Sequence, residues 1–262
     1  MSLDTKRIEG KLCIITGAAR SVGYEIAERF CQYGGIVAML DKNPQVVQAA
    51  EKLRERGLKA WGYASDVTDR DTIAGLCREL MEEHGPAYVL VNAAGIMEIS
   101  PFEEATEETW RRVLDINLMG TVNCIQAVIG RMREEGRGKI INFASKAGKM
   151  GSKLMTVYGA SKGAVITLTQ ALAMEYAPYK LNINCICPDI IDDTGVWQQA
   201  NALYAQNLHI SREEVKELYE GKVPLGRFAT KEDIADLVSF YVISGDDCTG
   251  QALNITGGRC MH

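Results

Sequence analysis

The stretch LCIITGAARSVG, Leu12–Gly23, runs from a short apolar segment, Leu12–Thr16, into a glycine-rich turn. A helical pattern follows over Tyr24–Tyr33, with Ile26, Ala27 and Phe30 on one face. A short continuous apolar run is how a strand buried on both faces reads. Small residues in the turn let a phosphate approach the backbone, and the helix start offers free N–H groups at the positive end of its dipole. Gly17, Arg20, Ser21, Val22 and Gly23 are therefore candidate contacts for a pyrophosphate. Taken alone, the same stretch also fits a glycine-rich turn with no ligand.

The rest of the chain repeats this alternation. Strands are expected at Ile36–Leu40, Lys59–Ser65, Tyr88–Asn92, Lys139–Ala144, Ile183–Cys187 and Ala252–Ile255. Helices are expected at Pro44–Arg56, Asp69–His84, Glu107–Arg133 (interrupted near Gly120), Val157–Tyr176 and Lys231–Ile243. Asp189–Lys222 has helical stretches of weak periodicity. Strand–helix alternation of this kind specifies an α/β fold: a single-domain, Rossmann-like, doubly wound parallel sheet with helices on both faces. Ligands of such sheets sit at the carboxyl ends of the strands.

Composition narrows the class. At 262 residues the chain suits one large domain spanning 1–262, and its 47% hydrophobic content excludes a disordered chain. A net charge of −5 argues against a nucleic-acid partner. No apolar run approaches the roughly 18 residues that span a bilayer, so no membrane partner is expected. Met1–Lys11 is polar and lacks the apolar segment of a signal peptide, which leads to a cytoplasmic expectation; Met1-Ser2-Leu3 carries no weight. The eight cysteines contain no Cys-x-x-Cys pair and read as reduced, mostly buried thiols. His84, His209 and His262 are far apart, and no metal site is expected.

The residues just after each strand carry the chemistry. Asp41 ends the second strand, where a carboxylate accepts hydrogen bonds from ribose hydroxyls and repels a 2′-phosphate. It favours NAD over NADP; Arg20 and Lys42 pull the other way. Asp66-Val67 follows the third strand, where an adenine can rest. Asn92-Ala93-Ala94-Gly95 follows the fourth and leaves room for a flat ligand, although strand-to-helix turns use the same residues.

Tyr158 and Lys162 are four positions apart, on one face of a helix. An ammonium beside a phenol lowers the phenol pKa and makes a general acid/base. Ser145 ends the fifth strand, and its hydroxyl can hold a carbonyl or alcohol oxygen. Asn117 lies inside a helix, where its amide can fix a water near the lysine. A lone Tyr-x-x-x-Lys is common by chance; this one gains meaning from the strand ends around it.

Together these motifs resemble the short-chain dehydrogenase/reductase family over about residues 8–258. The resemblance places the family's glycine-rich pattern on Thr16–Gly23 and its ribose-reading acid on Asp41. Its adenine-site aspartate falls on Asp66, and its Asn-Asn-Ala-Gly turn on Asn92–Gly95. Its catalytic residues fall on Asn117, Ser145, Tyr158 and Lys162, with Tyr158 and Lys162 also touching the cofactor. The Pro-Gly segment after the sixth strand falls on Pro188-Asp189, and the carboxamide contact on Ile191. It implies NAD(P)-dependent oxidoreduction, a substrate lid over 189–222 and a homotetramer paired through the helices 107–133 and 157–176. Val165, Leu168 and Leu172 could supply contact there, or face their own sheet. Three positions depart from the pattern. Ser21 replaces a glycine, tolerable if its φ is negative. Ala93 replaces an asparagine that bonds to the sheet. Asp189 replaces a glycine and either repels anions or binds a hydroxyl.

The substrate is less legible. In the lid, Gln198, Gln199, Asn201, Gln206 and Asn207 suit a polyol, whereas Trp197, Leu203, Tyr204 and Leu208 suit a greasier molecule. Met97, Glu98 and Met150 are further candidates for the pocket wall. Lys146, Lys149 and Lys153 could attract an anion or simply be solvated. The leading expectation is an NAD-dependent dehydrogenase of a secondary alcohol or ketone, most readily a polyol or sugar derivative. A hydroxysteroid dehydrogenase and a non-catalytic NAD(H)-sensing or scaffold protein are the alternatives.

Overall fold

Alternate residues of the central strands point to opposite faces, and both faces are apolar. Cys13 and Ile15 pack into one core with Val37 and Met39; Leu12 and Ile14 pack into the other with Ala38 and Leu40. These residues belong to β1 (Leu12–Thr16) and β2 (Ile36–Asp41). The computed structural model describes residues 5–262. The expectations placed on Met1-Ser2-Leu3 and the first residues of Met1–Lys11 lie outside the described residues.

The remaining strands are β3 (Ala60–Ala64), β4 (Ala87–Asn92), β5 (Gly138–Phe143), β6 (Leu181–Pro188) and β7 (Ala252–Ile255). All pair in parallel, in the order β3-β2-β1-β4-β5-β6-β7. The order reverses at β1, so a crevice opens between the carboxyl ends of β1 and β4. One face is covered by α1 (Ser21–Gln32), α2 (Gln45–Glu55) and α9 (Lys231–Ile243), around Phe30, Leu53 and Val238. The other is covered by α3 (Arg70–His84), α5 (Gly120–Glu135) and α6 (Thr156–Tyr176), around Ile73, Val128 and Ala173. This is the expected Rossmann-like, doubly wound sheet.

Three local features differ from expectation. Helix α1 starts at Ser21, three residues before Tyr24, because the Arg20 carbonyl already accepts from the Tyr24 N–H at 3.4 Å. The long 107–133 helix is α4 (Glu107–Leu114) and α5, joined by a π-helical turn over Asp115–Met119. Gly120 follows that turn, where a Cβ would stand 2.5 Å from Val67 Cγ2. The 189–222 segment forms α7 (Gly195–Leu208) and α8 (Arg212–Glu220), which share a small apolar cluster containing Trp197, Tyr204 and Val215.

The continuous stretch Glu107–Glu135 is long and apolar enough to cross a membrane by length and composition, with a mean hydropathy of 1.4 in its best window. The expectation that no run approaches that length is corrected accordingly. Half of that window is buried in the protein, where Val128 and Met132 are wholly enclosed. All eight cysteines are free, and six are buried. Val165 is fully buried in its own domain, and Leu168 and Leu172 pack against the core of the α5 face.

Candidate active site

The turn after β1 is shaped by close backbone approach. Gly17 has φ +68°, and a Cβ there would stand 2.8 Å from the Ala94 amide nitrogen. A Cβ on Gly23 would collide with the Gly17 carbonyl. The Thr16 hydroxyl accepts from the Ala94 N–H at 3.1 Å and ties the β1 turn to the β4 turn. Ser21 overturns its condition: its φ is +58°, in the left-handed region that L-residues enter at a cost.

Asp41 closes this end of the cleft. Its two carboxylate oxygens accept from the Ala19 N–H at 3.0 Å and the Asn43 N–H at 2.9 Å. The two cations expected to counter it are directed elsewhere. Lys42 pairs with Asp66 at 2.7 Å, and the Arg20 guanidinium lies 3.7 Å from where a Gly195 Cβ would stand. Burial opposes ionisation of Asp66, but bonds from Lys42 and Thr68 outweigh it and hold the carboxyl below its ordinary range.

Asn92 and Asn117 stand behind the wall of the cleft rather than in its lining. Asn92, expected against the cofactor, is buried in the sheet and donates to Asn142 Oδ1 at 2.8 Å. Asn142 donates to Thr169 Oγ1 at 2.9 Å, which donates to the Val165 carbonyl at 2.7 Å. This chain links β4, β5 and α6 next to Ala93, the position where an asparagine bond to the sheet is missing. Asn117 sits in the π-helical turn. Its amide accepts from the Ile96 N–H at 2.8 Å and donates to the Ile96 carbonyl at 2.9 Å and to Ser161 Oγ at 3.0 Å. The expected water-fixing amide is thus spent on the loop and on α6. Gly95 leaves room for the Asn117 and Lys162 side chains; a Cβ there would stand 3.1 Å from Asn117 Oδ1 and 3.3 Å from Lys162 Nζ.

Tyr158 and Lys162 share one face of α6, as expected, but the predicted pKa effect is reversed. Lys162 Nζ donates to the Phe143 carbonyl at 2.7 Å and stands 5.9 Å from the Tyr158 ring centroid. Burial pushes the Tyr158 phenol up; a hydrogen bond with Ser145 opposes this and the Asp189 charge adds to it. Burial also pulls Lys162 down to about 8. Ser145 Oγ accepts from the Ala147 N–H at 3.1 Å, which fixes the hydroxyl at the end of β5.

These groups line one cleft of about 770 Å³. Gly17, Arg20, Ser21, Val22, Gly23, Asp41, Asp66, Val67, Ala93 and Gly95 line it from the β1–β4 ends, and Ser145, Tyr158, Lys162, Pro188 and Ile191 from the other. Met97, Met150, Trp197, Tyr204 and Leu208 also line it; Glu98 and Leu203 do not. None of the five lid amides reaches the lining. Asn201 instead donates to the Arg212 carbonyl at 3.0 Å and Asn207 to the Leu203 carbonyl at 2.9 Å. Lys149 turns away and donates to the Ala252 carbonyl, whereas Lys146 and Lys153 remain in the lining. Sequence reasoning missed Thr194 and Arg259. Thr194 lines the cleft while capping α7 through the Trp197 N–H at 3.1 Å; a threonine just before a helical pattern is the signal for it. Arg259 reaches Asp189 at 2.8 Å from 70 residues away, and nothing local announces it.

A parallel sheet with a glycine-lined cleft at its switch point, an acid at the end of β2 and a Ser–Tyr–Lys group is the arrangement of a nicotinamide-dependent oxidoreductase. A family model described as short chain dehydrogenase matches residues 11–205, and the chain belongs to that family. It is 36% identical to the sorbitol dehydrogenase of Cereibacter sphaeroides and 36% identical to the galactitol 2-dehydrogenase of Agrobacterium fabrum (strain C58 / ATCC 33970). Each match covers 97% of this chain and 99% of the relative. A crystal structure of NAD⁺-bound xylitol dehydrogenase superposes with a TM-score of 0.91 at 31% identity, covering 96% of this chain and 99% of that one.

Proposed function

We propose that this protein is an NAD-dependent dehydrogenase of polyols or closely related sugar derivatives. The likeness to sorbitol, galactitol and xylitol dehydrogenases over nearly the whole chain carries the substrate class. At the substrate end Ser145, Lys146 and Asp189 offer partners for hydroxyl groups, beside an apolar wall that includes Met97, Met150 and Trp197. NAD suits the β1–β4 end: Gly17 and Gly23 let the turn after β1 pack closely against the β4 turn and the start of α1, which brings a helix N-terminus to the cleft for a pyrophosphate, and Asp41 disfavours a 2′-phosphate. Gly17, Arg20, Ser21, Val22, Gly23, Asp41, Asp66, Val67, Ala93, Gly95, Pro188 and Ile191 would hold it.

When bound, NAD supplies the hydride acceptor for alcohol oxidation. Ser145 Oγ holds the substrate oxygen. Tyr158 Oη takes the hydroxyl proton and returns it in ketone reduction. Lys162, its Nζ fixed on the Phe143 carbonyl, contacts the cofactor, and Asn117 positions Lys162 through Ser161 and the Gly95–Ile96 loop. The 189–222 segment acts as the substrate lid, and the protein works as a cytoplasmic homotetramer paired through the 107–133 helix (α4 and α5) and α6.

A panel of polyols and hydroxysteroids, each assayed with NAD and NADP at alkaline pH, tests this reading. We expect polyol-dependent NADH formation with NADP the poorer acceptor. Turnover confined to hydroxysteroids, or equal use of NADP, would overturn the corresponding part.

A further inference from the structure

The lining of the cleft contains three carboxylates among the described residues: Asp41 and Asp66 at the β2–β3 end, and Asp189 at the other. Around Asp189 the charge balance inverts. One of its oxygens faces Lys146 Nζ at 3.4 Å and the other faces Arg259 at 2.8 Å. The three side chains are only 10–16% exposed. One carboxylate cannot neutralise two cations, so a positive charge is left in a poorly solvated wall. Lys153 and Lys222 add two more cations to the same lining, at exposed positions. The protein as a whole has a net charge of −5, so this concentration is local.

The arrangement is built. Arg259 follows Gly257 and Gly258, whose φ values are +60° and +92°. A Cβ on Gly257 would collide with Val223, and one on Gly258 would stand 3.1 Å from Pro224. The tail thus lies directly against the chain that follows α8, and the Gly257 carbonyl accepts from the Leu225 N–H at 3.1 Å. The guanidinium also lies over the Tyr219 ring, 5.2 Å from its centroid. Burial and the neighbouring Arg259 lower the Lys146 pKa, and Asp189 opposes this. Burying a surplus cation is costly unless an anion answers it.

We propose that Lys146 and Arg259, held apart by Asp189, form an anion subsite beside Tyr158, and that the substrate is a polyol-type secondary alcohol carrying a carboxylate or phosphate. This rests on the polyol reading above and narrows it. Asp189 then orients the two cations and leaves one charge for the substrate.

The test compares sorbitol, gluconate and sorbitol 6-phosphate as substrates of the full chain with NAD, at low and high salt. We expect kcat/KM at least tenfold higher for one of the anions than for sorbitol, with the advantage shrinking as salt rises. Whichever anion leads identifies carboxylate or phosphate as the group read. In Arg259→Met the anion-to-sorbitol ratio should fall at least tenfold, and Arg259→Lys should restore part of it. Should Arg259→Met fail to fold, the wild-type ratio and its salt dependence still decide. Sorbitol oxidised as well as both anions overturns the subsite and leaves the polyol reading standing. Failure of all three, with hydroxysteroids turned over, overturns both.

Discussion

Ser21 holds a φ of +58° at the start of α1, where its Cβ is an energetic burden. The left-handed conformation costs an L-residue about 1–2 kcal/mol. Glycine gives back part of that through its greater freedom in the unfolded chain, about 0.5–1 kcal/mol. Ser21→Gly should therefore stabilise the protein by about 0.5–1 kcal/mol. Thermal unfolding reads this as a Tm higher by about 1–3 °C; an unchanged or lower Tm would show that the hydroxyl compensates for the strain. Ser21 also marks what single residues reveal in a sequence. Its departure from the glycine pattern was legible, but its φ was not, because φ is set by how Arg20 and Val22 meet the turn. Asn92 and Asn117 were legible as important amides. Their partners Ile96, Ser161 and Asn142 come from other segments, so the amides' roles were not.

At the scale of elements, helix α6 brings Tyr158 and Lys162 together with a spacing visible in the sequence. Burial, which the spacing does not encode, changes their chemistry. A phenol pushed up from its ordinary value must lose its proton before it can accept one from an alcohol. Alcohol oxidation should accordingly rise with pH through the range of about 7–10, whereas ketone reduction, which needs the protonated phenol, should stay level or fall. Initial rates in both directions across that range check this; oxidation fastest near pH 6 would contradict it. The lid shows the opposite balance of legibility. Its periodicity is weak over the whole segment, yet Trp197, Ala200, Asn201 and Tyr204 lie on one buried face of α7. Thr194 and Ser211 cap the two helices, with Ser211 and Glu214 forming a capping box. Those caps were the available signal. The lid amides misled, because amide composition cannot tell the outer face of a helix from its inner one.

Across the whole molecule, strand–helix alternation was enough to place the parallel sheet and the candidate phosphate and ribose ends of the cleft, but not the strand order that sets the switch point. These depend on local runs and on short turns after strands. The substrate end was not legible, because it is assembled from the turn after β5, the end of β6, the lid and the C-terminal tail. Lys146, Asp189 and Arg259 lie far apart in sequence and meet only once β5, β6 and β7 stand side by side. In the proposed reaction, the proton released in alcohol oxidation passes to Tyr158. Tyr158→Phe removes that hydroxyl while keeping the ring. The decisive measurement is kcat/KM of this variant with the best secondary alcohol, alongside its NADH affinity. We predict a loss of about 10²–10⁴-fold in turnover with NADH binding retained; turnover within a few-fold of wild type would contradict the account.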